Sequence, residues 1–315
     1  MRFTFRQLEY FIATAETGSI TLASERVNIS QPSISTAISS LEQELGVQLF
    51  IRQHAQGLSL TPAGSILLLE AKRIIEQANA LYTAASEAID QVRGQLTVGS
   101  FVTITPMVMP ELAHSFVSAF PAAQIRLVEN NQEQLLDSLR RGEIDVAVTY
   151  DLQLADDIEF VPLASLPVHV VVAETHPLAS QPAVSLQDLA KEPLVLLDLP
   201  LSREYFLALF LKEGLEPSIA MRSPHPDVVR TMVANRYGYT LANVRPRSDF
   251  ALDGRRVVRL RLVGDHRPMT IGIATLSQLR KSRLISAFEA HCRAHVSDAY
   301  IPGMAAPNFE RWSRK

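Results

Sequence analysis

The stretch from Pro62 to Val92 limits the possible folds most, because it contains no glycine after Gly64 and no further proline. It can therefore stay helical throughout and separate a small N-terminal module from a larger C-terminal one. Apolar or small residues recur along it at the alternating steps of three and four that mark a coiled-coil seam: Leu68, Ala71, Ile75, Ala78, Tyr82, Ala85, Ile89 and Val92. We predict a dimerising linker helix over 62–93; the alternative is an amphipathic helix lying on its own domain.

The residues before this stretch predict three short helices and a hairpin. Gly18, Asn28 and Gly46 stand where each helix would end, and Ser19 and Ser30 stand where the second and third would begin. The positions expected to face inward are Leu8, Phe11, Ile12, Ala15, Leu22, Ala23, Val27, Ile34, Ile38, Leu41 and Leu45. Strands from Leu49 and over 58–60, with a turn at 56–57, complete the pattern. We predict a winged helix-turn-helix over 1–61.

The outer face of the third helix carries small, uncharged hydrogen-bonding side chains, namely Gln31, Ser33, Ser35, Thr36, Ser39 and Ser40. Such side chains let a helix approach base edges and phosphates closely, so this face suits a DNA groove. The alternative is a solvated face of a three-helix bundle. Charge alone gives no support for nucleic-acid binding, because the whole chain has a formal net charge of -3.

Several motifs in register make this segment resemble the LysR-type transcriptional regulators of bacteria. They are the run Ser30 to Ser35, Leu41-Glu42 with Leu45-Gly46, Leu49-Phe50 with Arg52, and Leu60-Thr61 with Gly64. The resemblance implies that Gln31, Ser33 and Ser35 meet the major groove and that Arg52 meets a phosphate or the minor groove. We take the DNA-binding residues to be Ser30, Gln31, Pro32, Ser33, Ser35, Thr36, Ser39 and Arg52.

The sequence departs from that family at two positions of the third helix. Many members carry Arg and Gln after the residue that corresponds to Ser35, where this chain has Thr36 and Ala37. The loss of an arginine removes one strong contact to guanine or phosphate. We therefore expect weak binding by a single unit, with a homodimer reading an inverted repeat in double-stranded promoter DNA. The resemblance also implies that two dimers pair into a homotetramer.

The C-terminal half alternates strand and helix patterns, which predicts an α/β architecture. The predicted strands are 125–128, 144–148, 168–173, 194–197, 257–262 and 269–274, with one more starting at 96–98. Helices are predicted near 106–119, 132–141, 203–213, 226–235 and 278–295. In such folds a ligand lies beyond the carboxyl ends of strands, where helix N-termini also point.

Polar side chains follow several of these strands, and each group could instead be a simple helix cap. Their repetition at strand ends favours a ligand cleft. The predicted effector-binding residues are Ser100, Phe101, Thr103, Thr105, Asn131, Gln132, Asp198, Ser202, His225 and Asn243. Arg203 is expected to be a surface residue rather than an anion clamp.

The same half resembles the LysR effector domain, a two-lobed fold akin to type 2 periplasmic binding proteins. The matching runs are LRRGEIDVAV from Leu139, HPLA from His176, and Leu186 to Leu189. The resemblance implies an effector-binding domain over 94–296, with lobe I at 94–162 and 269–296 and lobe II at 163–268. The run VANRYGYTLANV departs from the family with Arg236 and Asn243, which would suit a polar or anionic small-molecule effector.

Enzymes and transport proteins are the rival classes. The sequence lacks the nucleophile-elbow, phosphate-loop, dinucleotide-binding and zinc-protease motifs, its eight histidines are scattered, and its single cysteine, Cys292, excludes an internal disulfide. We predict no enzymatic activity, no metal and no cofactor. With no apolar run of membrane-spanning length and no signal-like start, we expect a cytoplasmic location without membrane partners. Residues 297–315, including Trp312, should form an irregular tail that frays.

Overall fold

The computed structural model describes residues 3–53, 57–88 and 92–305. Backbone contacts divide the chain into two compact units, Met1–Ile89 and Asp90–Lys315. Within the described residues, no helix is both long enough and apolar enough to cross a membrane.

The first unit has the predicted order of three helices, a hairpin and a long helix. Its elements are α1 (Phe5–Thr17), α2 (Ile20–Val27), α3 (Gln31–Leu45), β1 (Phe50–Gln53), β2 (Gly57–Leu60) and α4 (Pro62–Ala88). Gly18, Asn28 and Gly46 follow the three short helices with φ angles of 64°, 53° and 70°, as their residue types predict. The winged helix-turn-helix is therefore confirmed.

Two local details differ from the sequence prediction. Leu22 was expected to face inward but is 52% exposed, because the buried face of α2 is formed by Ala23 and Ser24, which lie about 100° and 200° further round the helix. The Ser30 hydroxyl makes no cap bond to the backbone. It lies 2.8 Å from the hydroxyl of Ser33 instead.

Helix α4 divides its apolar residues between two surfaces. Ala71 is buried in the core of the first unit, and Leu67, Leu68, Ile74 and Ile75 pack against that core. The alternative interpretation, a helix lying on its own domain, thus applies to the first half of the predicted seam. Ile66, Leu69 and Leu81 remain exposed at 67%, 54% and 72%. Ile89 of the predicted seam lies outside the described residues, as do the side chains of Tyr82 and Ala85.

The second unit alternates strands and helices. Its elements are β3 (Gly94–Phe101), α5 (Thr105–Ala119), β4 (Ala123–Asn130), α6 (Gln132–Arg140), β5 (Val146–Tyr150), β6 (Ile158–Leu166), β7 (His169–Ala173), β8 (Ala183–Val184), α7 (Leu186–Leu189), β9 (Pro193–Leu197), α8 (Ser202–Lys212), β10 (Ser218–Ser223), α9 (Pro226–Ala234), β11 (Thr240–Ala242), β12 (Val257–Leu262), β13 (Met269–Leu276) and α10 (Arg283–His295).

These elements form two lobes. Lobe I is built on a five-stranded sheet in the order β4-β3-β5-β13-β6. Lobe II contains a four-stranded sheet, β11-β7-β12-β8, and the pair β9-β10, which a bridge between Leu194 and Tyr239 connects to it. The chain crosses between the lobes twice, from β6 to β7 and from β12 to β13. This arrangement confirms the predicted α/β fold with two lobes.

Strands β6, β8, β10 and β11 were missed by the sequence analysis. The longest, β6, contains Pro162, a residue that argues against a central strand. It lies at the edge of its sheet, and its register shifts beside Pro162, which pairs with Gly272 of β13. An edge position with an irregular register tolerates the missing N–H of proline.

The C-terminal tail is ordered further than the sequence suggested. Beyond α10 there is no regular helix or strand up to Ala305, the last described residue. Ile301 and Met304 are nevertheless each only 4% exposed, so this part of the tail packs against the second unit rather than fraying. Trp312 lies outside the described residues.

Candidate functional site

The outer face of α3 is exposed and uncharged. Gln31, Pro32, Ser33, Thr36 and Ser39 are exposed, and Ser35 is half-buried. The opposite face anchors the helix, because Ile34, Ile38 and Leu41 are buried in the core. A helix that is anchored on one face and carries exposed polar side chains on the other can enter a DNA groove while its core stays intact.

Hydrogen bonds of Glu42, near the end of α3, and of Thr61, just after β2, hold the hairpin against α3. The carboxylate of Glu42 accepts hydrogen bonds from the backbone N–H groups of Leu49 at 2.7 Å and Phe50 at 3.3 Å. The hydroxyl of Thr61 donates to the Gln48 carbonyl at 2.6 Å and accepts from the Gly64 N–H at 2.8 Å. These bonds hold the hairpin in one position relative to α3. Arg52 belongs to β1, and its side chain lies outside the described part of the structure.

A second candidate site is a cavity of about 200 Å³ between lobe I and lobe II. Lobe I lines it with Phe101, Thr103, Pro106, Met107, Tyr150 and Met269. Lobe II lines it with Val171, Leu197, Ser202, Phe206, Pro226, Asp227, Val229, Arg230, Thr240, Leu241, Ala242, Asn243, Val244 and Pro246. Most of these side chains are apolar, and the polar ones are few, as is usual for small-molecule sites.

The cavity contains four of the predicted effector-binding residues: Phe101, Thr103, Ser202 and Asn243. The others do not line it: Ser100, Thr105, Asn131, Gln132, Asp198 and His225. Most of these have a structural role. The Thr105 hydroxyl bonds to the Phe101 carbonyl, and the Asn131 side chain caps α6.

Gln132 and Asp198 are held by neighbours inside their own lobes. The Gln132 amide donates to the Leu152 carbonyl and accepts from the Thr149 hydroxyl. Asp198 pairs at 2.6 Å with Arg203, which also pairs with Glu204. These four polar residues therefore cap helices or bond to neighbours within one lobe, and the sequence alone could not distinguish such residues from ligand contacts.

Sequence reasoning missed most of the cavity wall. Met107, Val171, Phe206 and Leu241 carry no pattern that distinguishes a cavity wall from an ordinary core. Tyr150 and Arg230 were detectable, since the first ends β5 and the second lies in the second turn of α9. Arg236, proposed with Asn243 as a cleft residue, does not line the cavity. It occupies a left-handed position with φ of 70° just after α9.

The polar lining includes one acceptor without a partner. Asn243 is 3% exposed, and its Nδ2 donates to the Leu166 carbonyl at 2.7 Å. Since a carbonyl can only accept, this bond fixes which side-chain atom is nitrogen. The Oδ1 atom is left without a hydrogen bond among the described residues. The side chain of Tyr205 also interacts with this amide, and an N–H or O–H group of an effector could donate to the Oδ1.

The hydroxyl groups of Thr103 and Tyr150 lie 3.0 Å apart. Burial raises the pKa of Tyr150, although the hydrogen bond to Thr103 opposes this shift. The phenol is therefore neutral at neutral pH and can donate one hydrogen bond. Together, these two hydroxyls present both a donor and acceptor lone pairs to the cavity.

Three arginines of lobe II, Arg230, Arg245 and Arg259, lie close enough to one another to interact electrostatically. Arg230 donates to the Ser248 carbonyl at 2.6 Å, and Arg259 pairs with Asp249. Burial lowers the pKa of Arg230 and of Arg245, and Arg259 lowers both further. Burial and these arginines also hold the pKa of His169 well below its usual range, so this histidine is neutral. Arg230 is the cation of this group that lines the cavity.

Comparison with known proteins gives matches over both units. The model "Bacterial regulatory helix-turn-helix protein, lysR family" matches residues 5–65, and the model "LysR substrate binding domain" matches residues 90–297. The regulator OxyR of Escherichia coli is 30% identical over 237 residues, which cover 75% of this chain and 77% of OxyR.

Solved structures agree with this comparison. HinK, a LysR family transcriptional regulator from Pseudomonas aeruginosa, is 37% identical and superposes with a TM-score of 0.64, covering 94% of this chain and 99% of HinK. Full-length CbnR in complex with its target DNA is 25% identical with a TM-score of 0.67, covering 92% of this chain and 99% of CbnR. Within the described residues, no cluster of His, Cys, Asp and Glu could hold a metal ion.

Proposed function

The chain belongs to the LysR family of transcriptional regulators, which bind DNA and carry an effector-binding domain, and from this premise we propose which of its residues perform each task. We propose that 1–61 read DNA, that 62–93 link and dimerise, and that 94–296 bind the effector. The exposed polar face of α3, opposite its buried anchors, is the observation that carries the first assignment.

In the DNA complex we propose, α3 lies in the major groove. Gln31, Ser33 and Ser35 meet base edges, with Ser30, Pro32, Thr36 and Ser39 beside them and Arg52 on the backbone. The uncharged face gives few phosphate contacts per unit, so two units acting together on an inverted repeat supply the affinity. The protein then acts in the bacterial cytoplasm, where its DNA lies.

Footprinting tests this assignment. The purified full-length chain is expected to protect an inverted repeat upstream of its own gene. The variant Thr36→Arg, which restores a cation at an exposed position of the reading face, should bind more tightly and with a steeper salt dependence. No protection of that region by wild type or variant would contradict the proposal.

Dimerisation is proposed to use the exposed apolar residues of α4, Ile66, Leu69 and Leu81. Exposed large apolar side chains on one helix favour burial against a second copy. In sedimentation experiments Leu69→Glu should dissociate the dimer, since it places a charge in the interface. Asn79→Glu, which adds the same charge at another exposed position of the helix, should leave the assembly intact. We also propose that two wild-type dimers pair into a homotetramer, and the same sedimentation experiment measures its mass.

The effector is proposed to be a compact molecule with an apolar body and a polar or anionic end. The apolar walls match the body, Arg230 would bind an anionic group, and the Oδ1 of Asn243 would accept a hydrogen bond from a separate N–H or O–H group of the effector. Effector binding would change the angle between the lobes and so change how the protein holds its promoter. Because such coupling is reciprocal, DNA and effector must alter each other's affinity.

Paired acids and methyl esters test the anionic end. Benzoate and butyrate should raise the melting temperature of the full-length protein more than methyl benzoate and methyl butyrate do. Arg230→Gln should abolish the difference within each pair. Arg236→Gln, which removes an exposed arginine outside the cavity, should preserve it. Equal shifts from acids and esters with wild type would exclude recognition of an anion.

A further inference from the structure

Residues 297–305, here called the strap, connect parts of both lobes beside the cavity. The strap begins after α10 and lies almost wholly beyond the family match, which ends at residue 297. Its Ile301 and Met304 side chains are buried in the core of the second unit. A frayed extension would not bury two apolar side chains, so the strap is packed as part of the second unit.

On lobe I the strap makes contacts with β6 and α5. The carboxylate of Asp298 accepts a hydrogen bond from the Ser165 N–H at 2.7 Å, and the Tyr300 hydroxyl donates to Glu111. Gly303 lies so close to α5 that a Cβ atom there would stand 2.3 Å from the carbonyl oxygen of Met107. No side chain fits in that space, so glycine is required where the strap crosses α5.

On lobe II the strap contacts the loop that follows β11. The Ala305 N–H donates to the Arg245 carbonyl at 2.8 Å, and Met304 forms an antiparallel bridge with Pro246. The guanidinium of Arg247 lies 6.0 Å from the ring centre of Tyr300, within reach of a cation–π interaction. The strap thus adds a third connection between the lobes to the two made by the chain itself.

The strap contacts one cavity-lining residue in each lobe. Met107 lines the cavity from lobe I and Pro246 from lobe II. We propose that the strap is a positioning element of the effector site: it connects these two walls at one side of the cavity, so that a change in the angle between the lobes must pivot near this contact, and it thereby limits the shapes that an effector can fit. This inference rests on the proposed function of the cavity as the effector site.

A pair of glycine substitutions tests the role of the strap. Gly303 has φ of +68° and Gly214 has φ of +67°, but nothing lies within 4 Å of a Cβ added at Gly214. Ala strains the backbone similarly at both positions, and only Gly303→Ala also collides with Met107. Amide hydrogen exchange of the full-length protein is measured for both variants and for wild type.

In Gly303→Ala, exchange should rise at least about fivefold in the strap and also in both walls, residues 103–109 and 243–250, relative to Gly214→Ala. Faster exchange in the strap alone, or no change anywhere, would overturn the proposal. Tyr300→Phe provides a milder test, because it removes only the bond to Glu111 and should raise exchange more in the lobe I wall than in the lobe II wall.

These measurements are made without effector or DNA. A failure of the strap proposal therefore leaves the footprint and the acid–ester comparison unaffected, and a failure of either of those leaves the exchange result standing. A purely structural strap would lower the melting temperature without a selective rise in exchange at the two walls.

Discussion

Replacing Gln31 by alanine separates DNA reading from folding. Gln31 is the first residue of α3 and is exposed. Surface substitutions of this kind usually change the free energy of unfolding by less than about 0.5 kcal/mol. Gln43 provides a matched control, since it is the same residue type and is exposed on the same helix, but it lies about 18 Å further along the helix axis, away from the N-terminal residues that would contact base edges.

The expected loss of affinity follows from the proposed base contact. A good bidentate contact from a glutamine amide to adenine is worth about 1–3 kcal/mol. At 1.4 kcal/mol per factor of ten, each α3 would lose roughly 5- to 140-fold in affinity. Because a dimer places two copies of α3 on an inverted repeat, the total loss would be about 2–6 kcal/mol if the two contacts are independent.

Fluorescence anisotropy with a labelled operator fragment measures this loss over a range of salt concentrations. Since Gln31 is uncharged, Gln31→Ala should weaken specific binding while the slope of log affinity against log salt stays unchanged. Gln43→Ala should match wild type in both quantities. Equal losses for the two variants, or no loss for Gln31→Ala with a sequence-specific operator, would refute the placement of the N-terminal part of α3 in the groove.

Three other perturbations test individual contacts. Gly64→Ala should destabilise the first unit by about 1–3 kcal/mol in urea unfolding, because its Cβ would meet the Leu49 carbonyl oxygen at 2.2 Å; an unchanged midpoint would contradict this. Cys292 is buried, and burial raises the pKa of its thiol, so Ellman's reagent should react only after unfolding and peroxide should leave DNA binding unchanged, unlike a thiol-based sensor. Burial raises the pKa of Glu16, but Lys72 and Arg26 outweigh it and lower the pKa below 4.5. Ionised Glu16 therefore stabilises the fold at pH values above its unfolded-state pKa, and this stabilisation is lost as the pH falls through the lowered pKa of the folded state. Wild type and Glu16→Gln should accordingly converge in stability at low pH.

The comparison with OxyR concerns fold and family rather than the sensed signal. Two further relatives, from Dickeya chrysanthemi and Pectobacterium carotovorum, are described as hydrogen peroxide-inducible genes activators. This chain has one cysteine, and it lies within the core of the second unit. A thiol withdrawn from solvent is a poor nucleophile, so Cys292 is poorly suited to reaction with peroxide.

Local sequence determined the helix-turn-helix. Gly18, Asn28 and Gly46 end helices because glycine and asparagine adopt left-handed backbone angles at low cost, and the apolar spacing of α3 places Ile34, Ile38 and Leu41 on one side. These are short-range effects, readable within one or two helical turns. The same reasoning failed for Leu22, since a helix as short as α2 leaves two adjacent faces that its sequence cannot distinguish.

Only the tertiary structure shows which residues of the second unit line the cavity and which apolar residues of α4 are buried or exposed. The side-chain amide of Asn243 is oriented by the bond from its nitrogen to the Leu166 carbonyl, 77 positions earlier in the chain, and this bond leaves its Oδ1 atom as a buried acceptor. Ala71 is buried in the core of the first unit rather than by a second copy, and the strap contacts β6 and α5 of lobe I and the loop after β11 of lobe II. Periodicity tells which residues avoid water, whereas the identity of the partner that covers them depends on how distant segments pack.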